Sequence, residues 1–389
     1  YGSKSSLIAM IRFQKAIIIK NTLQERFHMI IYRQVTKTFS RKGERNMAVT
    51  IRDVARKCGV AVSTVSRALN GYSDITEETR KKILKAVEEL DYKPNLNARN
   101  LSSKKSNRIA LIISGLLENN PKENLSFRLI QGVYSYTHNH DLDVAVYATD
   151  AEQQGKTSYE KFCTEHDVCG VILSGVTMDD PYFRELINTE IPCVAIDVEL
   201  PDKRAGWVSI DNTRAMSDMV NLLYENGHER ILVVSGKKNA GVTVDRMTGV
   251  FDAMQKKGRS LRPEDVLYCD YSEEKAYEET AKYLQKYGNR EHTAILCFSD
   301  LMALGVMRAV KEAGYRITED FSVTGFDGIP ITEYTEPPLT TVWQDMKANG
   351  YEGAKLLQDF IEGKKSASHS TLPYKLLNRK SVRNICGQN

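Results

Sequence analysis

Residues 50–70 read TIRDVARKCGVAVSTVSRALN, and this stretch decides the fold of the front of the chain. Its first half carries apolar side chains at i, i+3, i+4 and i+7, the spacing of one helix face: Ile51, Val54, Ala55 and Cys58. Thr50 and Asp53 have the spacing of a capping box, which satisfies free amides at a helix start. Gly59 marks the helix end, because glycine adopts the left-handed conformation at little cost.

A second short helix follows at once, with Val65 and Leu69 as its inner face. Two short helices joined by a glycine turn bury little surface alone. Such a pair commonly serves as a helix-turn-helix unit, with the second helix in the major groove of DNA. An ordinary helical hairpin with a polar outer face is the alternative, and the spacing alone leaves both open.

The outer face of this second helix offers side chains that suit DNA. Arg67 presents a planar fork for O6 and N7 of guanine, and Val62 offers an apolar contact to a thymine methyl group. Ser63 can donate or accept a hydrogen bond. Thr64 and Ser66 suit phosphate oxygens, which set the register without reading sequence.

The pattern Thr-Ile-x-Asp-Val-Ala…Gly-Val…Ser-Thr-Val-Ser-Arg-x-Leu-Asn closely resembles the opening of the lactose/galactose-repressor family of bacterial transcription regulators. The resemblance implies binding to double-stranded operator DNA as a homodimer, and it adds Thr50 to the candidate DNA contacts. Relatives usually have serine at the start of the second helix, whereas this chain has Ala61. That change removes a capping side chain, typically ~1 kcal/mol, and one phosphate contact.

Charge is distributed unevenly, although 54 basic and 50 acidic residues give a net charge of only +4. Residues 1–46 hold ten lysines and arginines against two acids, and residues 47–105 hold twelve against seven. The remainder is acidic, with 32 against 41. A basic front on an acidic body fits a nucleic-acid-binding module joined to a regulatory domain.

Residues 1–46 precede Met47 and the family-like opening, and we interpret them as translated upstream sequence outside the native protein, or as a disordered extension. Lys42-Gly43-Glu44 can be encoded by a purine-rich ribosome-binding sequence. A signal peptide fits less well, because the apolar run at residues 17–19 is short and no A-x-A site follows. A basic DNA-binding arm is a further alternative.

The helix-turn-helix domain is predicted over residues 47–93. Thr76 is placed to cap a third helix, roughly residues 77–90, whose apolar face closes over the first two helices. Residues 94–106 form a linker that resembles the family's hinge helix, which pairs with its dimer mate in the minor groove. By that resemblance Leu101 is an apolar wedge at a central base step, and Asn95 and Ala98 lie against the groove floor.

From residue 107 to 389, short apolar runs alternate with amphipathic helices, which predicts parallel sheets with helices on both faces. Nine candidate strands lie at residues 109–113, 144–148, 171–173, 193–196, 208–210, 231–234, 266–269, 294–298 and 323–326. The motifs at residues 211–213, 227–228, 246–249, 325–327 and 337–341 match the family's effector domain. The resemblance implies a two-lobed α/β fold like that of periplasmic binding proteins, with lobe 1 at about 107–208 and 344–373 and lobe 2 at about 209–343 and 374–389.

Ligands of parallel α/β lobes bind beyond the carboxyl ends of strands. The polar residues at those positions are Ser114, Ser174, Ser235, Ser299 and Asp327. By resemblance to the family, Arg246 and Asp327 form a charged clamp, and Tyr271 stacks against the ligand. Ser299 holds a position where relatives often have asparagine, and Ser114 is the contact from the first lobe. The implied effector is a carbohydrate or a derivative of one.

Each of these residues also has an ordinary structural interpretation. Asp327 could cap a turn, Arg246 could form an ion pair on the surface, and Tyr271 could lie at the edge of the core. The motifs G-x-x-x-x-G-K-[ST], G-x-S-x-G and H-E-x-x-H are missing, so we expect no enzymatic activity and no cofactor. His138 and His140 do not share a helix face, so we expect no metal site.

No apolar run approaches the roughly 20 residues of a membrane span. The seven scattered cysteines fit reduced thiols in the cytoplasm. The sequence therefore predicts a cytoplasmic, DNA-binding transcription repressor controlled by a small molecule between two lobes. The alternative is a sugar-binding protein or enzyme on the same two-lobed fold, without a regulatory role.

Overall fold

The structure is a computed structural model, and it describes residues 49–69, 72, 74–90, 92, 106–116, 124–186, 189–200, 205–364 and 368–387. The predicted extension at residues 1–46 lies outside the described residues, as do the hinge candidates Asn95, Ala98 and Leu101. The chain divides into two compact units between residues 99 and 100, and each is described by itself.

The first unit contains the three predicted helices: α1 (Ile51–Cys58), α2 (Val62–Leu69) and α3 (Glu77–Glu89). Gly59 takes φ 64° after α1, the left-handed conformation expected at a helix end. The helices share a small apolar core in which Val65 and Ile83 are fully buried. On α2, Val65 is buried and Leu69 is half-buried against this core, as predicted, and Ala68, which was not predicted, is buried as well.

The second unit consists of two lobes, each built on a six-stranded sheet. The strands of the first sheet are β1 (Arg108–Ser114), β2 (Asp143–Thr149), β3 (Gly170–Ser174), β4 (Cys193–Ile196), β5 (Ala205–Ile210) and β11 (His369–Leu372). They take the order β11-β5-β4-β3-β1-β2, and every neighbouring pair is parallel.

The strands of the second sheet are β6 (Ile231–Ser235), β7 (Val266–Tyr268), β8 (Ala294–Cys297), β9 (Ser322–Asp327), β10 (Thr340–Gln344) and β12 (Tyr374–Leu377). Their order is β12-β10-β9-β8-β6-β7, with the same succession of crossovers as in the first sheet. The β10–β12 pair is antiparallel, whereas the other described pairs of this sheet are parallel. All nine predicted strands are therefore present, and the sequence did not predict β10, β11 or β12.

Among these strands, the described residues form nine α-helices: α4 (Leu125–Thr137), α5 (Ala151–Lys156), α6 (Tyr159–Glu165), α7 (Pro181–Leu186), α8 (Asn212–Glu225), α9 (Gly241–Lys256), α10 (Glu273–Tyr287), α11 (Asp300–Glu312) and α12 (Met346–Ile361). Apolar residues of the sheets and helices form one core cluster in the second lobe and two in the first. Continuous apolar strands such as β1 arise because helices cover both faces of a parallel sheet.

The chain passes between the lobes three times. It leaves the first sheet after β5, returns after β10 through α12, and enters the second sheet again between β11 and β12. The carboxyl ends of the parallel strands in both lobes border a common cleft. No helix in the described part of the chain combines the length and apolar character that a bilayer span requires.

Candidate functional site

The outer face of α2 carries the predicted DNA contacts of the first unit. Val62 is 41% exposed, and Ser63 and Arg67 are exposed as well, whereas Thr64 and Ser66 are half-buried. Positions 62, 63, 66 and 67 share one side of a helix, because they are separated by one, three, four or five residues. The structure therefore places these side chains together, with Arg67 at the end of the row.

Arg67 is held from the loop that follows α2. Its guanidinium pairs with the carboxylate of Asp74 and lies 5.6 Å from the ring centroid of Tyr72. About half of the Arg67 side chain stays accessible to solvent. The guanidinium can therefore approach a base edge after giving up an exposed ion pair, which costs little because such pairs contribute at most about 1 kcal/mol.

The starts of α1 and α2 differ in how they are capped. The Thr50 backbone N–H and hydroxyl donate to the Asp53 carboxylate at 2.9 and 2.7 Å, and these bonds lower the pKa of Asp53. At the start of α2 the amides of Thr64 and Val65 donate to the backbone oxygen of Ala61. Alanine offers no side-chain acceptor, so the start of α2 lacks the capping side chain that relatives usually have.

A cleft of about 910 Å³ lies between the two lobes of the second unit. Its volume falls in the range of small-molecule sites. Both lobes contribute lining residues, from the ends of the parallel strands, the loops that follow them and the helices that come next. Five of the six predicted effector contacts line it: Ser114, Ser174, Arg246, Tyr271 and Asp327.

Arg246 is buried at the floor of the cleft and is only 3% exposed. Its Nε donates to Asn212 Oδ1 at 2.9 Å, and its Nη1 donates to the backbone oxygen of Phe298. The guanidinium lies 3.6 Å from the ring centroid of Phe326, in cation–π contact. The interpretation of Arg246 as a surface ion-pair residue is therefore wrong. Three protein groups fix the guanidinium, which directs Nη2 toward Asp327.

Asp327 ends β9 and lies beside Arg246, with Oδ1 at 3.8 Å from Nη2. Gln344 Nε2 donates to the same oxygen at 2.8 Å. Burial raises the pKa of Asp327 to about 6, Arg246 and Gln344 oppose that shift, and Asp197 adds to it. The 3.8 Å gap is too long for a hydrogen bond. Both partners therefore retain capacity to bind a polar ligand.

Asp197 is a cleft residue that the sequence did not predict. It follows β4 directly and lines the cleft from the first lobe. The Ser209 hydroxyl donates to its carboxylate at 2.5 Å, and burial raises its pKa. The cleft thus presents one carboxylate from each lobe. Burial raises the pKa of both, and Arg246 lies close enough to oppose both increases. Carboxylates in this arrangement accept hydrogen bonds from hydroxyl or amide donors.

Tyr271 supplies the aromatic face of the cleft. Its hydroxyl forms a 2.8 Å hydrogen bond with the Thr243 hydroxyl, which fixes the ring. The ring lies over Gly236, where any side chain would overlap it. A planar apolar surface beside hydroxyl-binding groups is the combination that a sugar ring requires.

Backbone strain is concentrated at this cleft. Eight described residues other than glycine have a positive φ, and four of them line the cleft: Asp197, Asp270, Tyr271 and Asp327. The φ of Asp327 is 111°, far from the small left-handed region that other residues occasionally adopt. Conformations of this kind cost about 1–3 kcal/mol each and cluster at binding sites.

The structure does not bring Ser299 to the cleft with the other candidates. Ser299 is 2% exposed and is the N-cap of α11, where its hydroxyl accepts a hydrogen bond from the Met302 amide at 3.2 Å. The buried Asp300 beside it accepts hydrogen bonds from Thr341 and from the Ile329 amide. Within the described residues, no group of three or more acidic, histidine or cysteine side chains is arranged to hold a metal ion.

Two family models match the chain. Residues 50–95 match bacterial regulatory proteins of the lacI family, and residues 220–382 match the periplasmic binding protein-like domain. Among curated relatives, the HTH-type transcriptional repressor CytR of Escherichia coli (strain K12) is 31% identical over 85% of this chain and 94% of its own length. The repressor PurR of Vibrio vulnificus (strain CMCP6) is 31% identical over 81% of this chain and 92% of its own.

Solved structures of regulators share the fold. A Lac repressor dimer bound to operator and the anti-inducer ONPF aligns with a TM-score of 0.71 and 26% identity, covering 86% of this chain and 99% of that one. A complex of the transcriptional regulator CelR with cellobiose aligns with a TM-score of 0.64 and 27% identity, with the same coverage.

Proposed function

This chain belongs to the lacI family of bacterial regulatory proteins, and from that membership we propose that it is a sequence-specific transcription repressor whose operator affinity depends on a small molecule bound in the cleft. The observation that carries the proposal is the presence in one chain of two separate sites. One is the exposed outer face of α2 with Arg67, and the other is the enclosed cleft around Arg246 and Asp327.

The DNA contacts of the proposed repressor come from α1, α2 and the segment after α3. Arg67, Val62 and Ser63 read base edges, while Thr64 and Ser66 bind phosphate. Thr50, at the start of α1, contacts the sugar-phosphate backbone of the DNA. The partner is double-stranded operator DNA, and the site of action is therefore the cytoplasm. A homodimer reads two half-sites, as the operator complex of the Lac repressor dimer suggests.

The proposed effector is a carbohydrate or a derivative of one. The cleft offers hydrogen-bond acceptors in the carboxylates of Asp197 and Asp327 and donors in the guanidinium of Arg246. Tyr271 supplies an aromatic face against which an apolar ring surface can pack. Ser114 and Ser174 add hydroxyls from the first lobe. The CelR relative carries cellobiose in its structure, which supports this class. A ligand that contacts both lobes changes DNA affinity because it binds the two lobe arrangements differently.

Operator selection from random DNA tests the proposal. The full chain should select a near-palindromic sequence, because a two-fold dimer presents two identical α2 helices. A screen of sugars by thermal shift should then identify a ligand that raises the melting temperature, and adding that ligand should change operator affinity. Ligand binding without sequence-specific DNA binding would instead favour the sugar-binding protein without a regulatory role.

A further inference from the structure

Two cleft-lining loops from opposite lobes meet at Asn239. The backbone N–H of Met178, in the loop between β3 and α7, donates to the carbonyl oxygen of Asn239 at 3.0 Å. The Asn239 side-chain amide donates to the Asp179 carboxylate at 2.8 Å and lies 3.4 Å from the Thr177 hydroxyl. Asn239 belongs to the loop between β6 and α9, so these bonds join the first lobe to the second.

The first-lobe side of this contact is held in shape by its own hydrogen bonds. The backbone N–H and the hydroxyl of Thr177 donate to the two carboxylate oxygens of Asp180, each at 3.0 Å. Asp180 is only 6% exposed, so this turn is anchored on the lobe. The turn therefore presents the Met178 amide and the Asp179 carboxylate together to a single residue opposite.

Both loops are walls of the cleft, but Asn239 itself does not line it. Thr177 lines the cleft from the first lobe, and Lys237 and Gly241 line it from the second. Gly241 also approaches the first lobe closely, since a Cβ at that position would lie 3.7 Å from the backbone oxygen of Asp197. The separation of the two walls is therefore coupled to the contact at Asn239.

We propose that Asn239 is a positioning residue for effector binding: it joins the two walls and holds the ligand-free cleft near the width that one ligand can span. The inference deepens the proposed function and rests on it for the nature of the ligand. A ligand that contacts both lobes binds more weakly when it must first bring them together. Loss of the Asn239 contact therefore weakens effector binding roughly threefold to tenfold, the net effect of one ordinary hydrogen bond.

A reversed pair tests the contact directly. Asn239→Asp places a second carboxylate against Asp179 and breaks the bond by repulsion. Asp179→Asn alone keeps an acceptor oxygen. The double variant Asn239→Asp with Asp179→Asn exchanges donor and acceptor, and so restores one hydrogen bond. Asn239→Ala removes the side-chain hydrogen bonds without adding charge. It replaces Asn239→Asp in the test if that variant does not fold.

The chain offers a matched control at Asn289. Its amide lies 3.4 Å from the carboxylate of Asp320, within the second lobe, so Asn289→Asp makes the same change without altering the contact between the lobes.

Two quantities are measured on the full chain without sugar or DNA. They are the backbone hydrogen exchange rate at Met178 and the radius of gyration from small-angle X-ray scattering. The outcome is therefore independent of whether the chain regulates transcription.

The proposal expects a protected Met178 amide in the unaltered protein. Asn239→Asp should accelerate its exchange about tenfold or more and increase the radius of gyration, the double variant should reverse both effects, and Asn289→Asp should change neither. Exchange of Met178 at the rate of a free amide in the unaltered protein would overturn the proposal. Unchanged exchange in both Asn239 variants, or no recovery in the double variant, would overturn it as well.

Discussion

The ring of Tyr271 occupies the space that a side chain at Gly236 would need, since a Cβ there would overlap the ring carbons Cε2 and Cζ. Gly236 follows β6 directly, while Tyr271 lies in the segment between β7 and α10. The position of the aromatic face in the cleft therefore depends on the absence of a side chain on a neighbouring loop. The positive φ of Tyr271, 62°, further restricts where its ring can go.

Gly236→Ala should consequently displace Tyr271 and disturb the cleft. Overpacking of this kind destabilises a protein by about 1–3 kcal/mol, so the free energy of unfolding should fall and effector binding should weaken. Denaturant unfolding and ligand titration measure the two effects. Gly155→Ala is the control, because a Cβ at Gly155 in α5 meets nothing within 4 Å. If both substitutions change the free energy of unfolding and effector affinity by equal, small amounts, the Tyr271 ring moves aside without disturbing the cleft.

Effector binding should depend on pH through Asp327. Burial raises the pKa of Asp327 to about 6, against the opposing influence of Arg246 and Gln344 and with Asp197 and Asp300 as acidic neighbours. A hydroxyl-bearing ligand donates to the ionised carboxylate, which is populated above that pKa and lost as the pH falls through it. Effector affinity should therefore drop on acidification from pH 7 to pH 5, approaching tenfold per unit below about pH 6.

Asp327→Asn separates this charge from other acidic groups in the lobe. The substitution keeps the shape of the side chain, so the protein should fold, bind effector weakly and lose the pH dependence. Isothermal titration with the ligand from the sugar screen, at several pH values, provides the measurement. Asp252→Asn removes an exposed carboxylate from α9 outside the cleft and should leave the profile intact. An unaltered profile in Asp327→Asn would assign the titration to another group.

Arg67→Ala should weaken binding to the selected operator by about 1–3 kcal/mol and relax base choice at one position in each half-site. The reason is that a guanidinium fork discriminates guanine from other bases, whereas a phosphate contact does not. Binding to operator and to random DNA is compared for each protein at one salt concentration. Arg56→Ala, on the exposed side of α1, should not relax base choice. Equal losses on both DNAs for Arg67→Ala would make Arg67 a phosphate contact.

The hinge remains a prediction from the sequence, because Leu101 lies outside the described residues. Leu101→Ala should reduce operator bending and specific affinity, since a smaller side chain cannot wedge open a base step. The unfolding of the two-lobed unit should stay unchanged. Bending is followed by fluorescence energy transfer between labelled operator ends. Operator bent to the same degree by both proteins would remove Leu101 from the DNA interface.

The sequence predicted most of the fold because its strands are short, apolar and buried on both sides. The three strands that it missed lack that pattern. β11 reads HSTL at the edge of the first sheet, with His369 and Thr371 exposed. β10 begins with two buried threonines whose hydroxyls have partners: the Arg379 backbone N–H donates to Thr340, and Thr341 donates to the Asp300 carboxylate. Such burial depends on partners distant in the chain, and local periodicity does not reveal it.

The cleft was predicted in part, for a similar reason. Asp197 directly follows a buried strand and Asp327 is the last residue of one, so the rule that selected Asp327 would also have selected Asp197. Ser299 satisfies that rule as well, yet its hydroxyl caps α11 instead of facing the cleft. Whether a polar residue after a strand contacts a ligand or caps the next helix depends on its side-chain rotamer and on its neighbours in space. The sequence alone does not reveal the rotamer or those neighbours.

The threefold passage of the chain between the lobes has a consequence for its synthesis. β11 and β12 are translated after the other ten strands of the described residues, yet each completes one edge of a different sheet. A chain interrupted before His369 would therefore leave β5 and β10 as open edges in both lobes at once. Unpaired edges of this length pair readily with other chains. Termination of translation between α12 and β11 should thus yield aggregates rather than one folded lobe and one unfolded lobe.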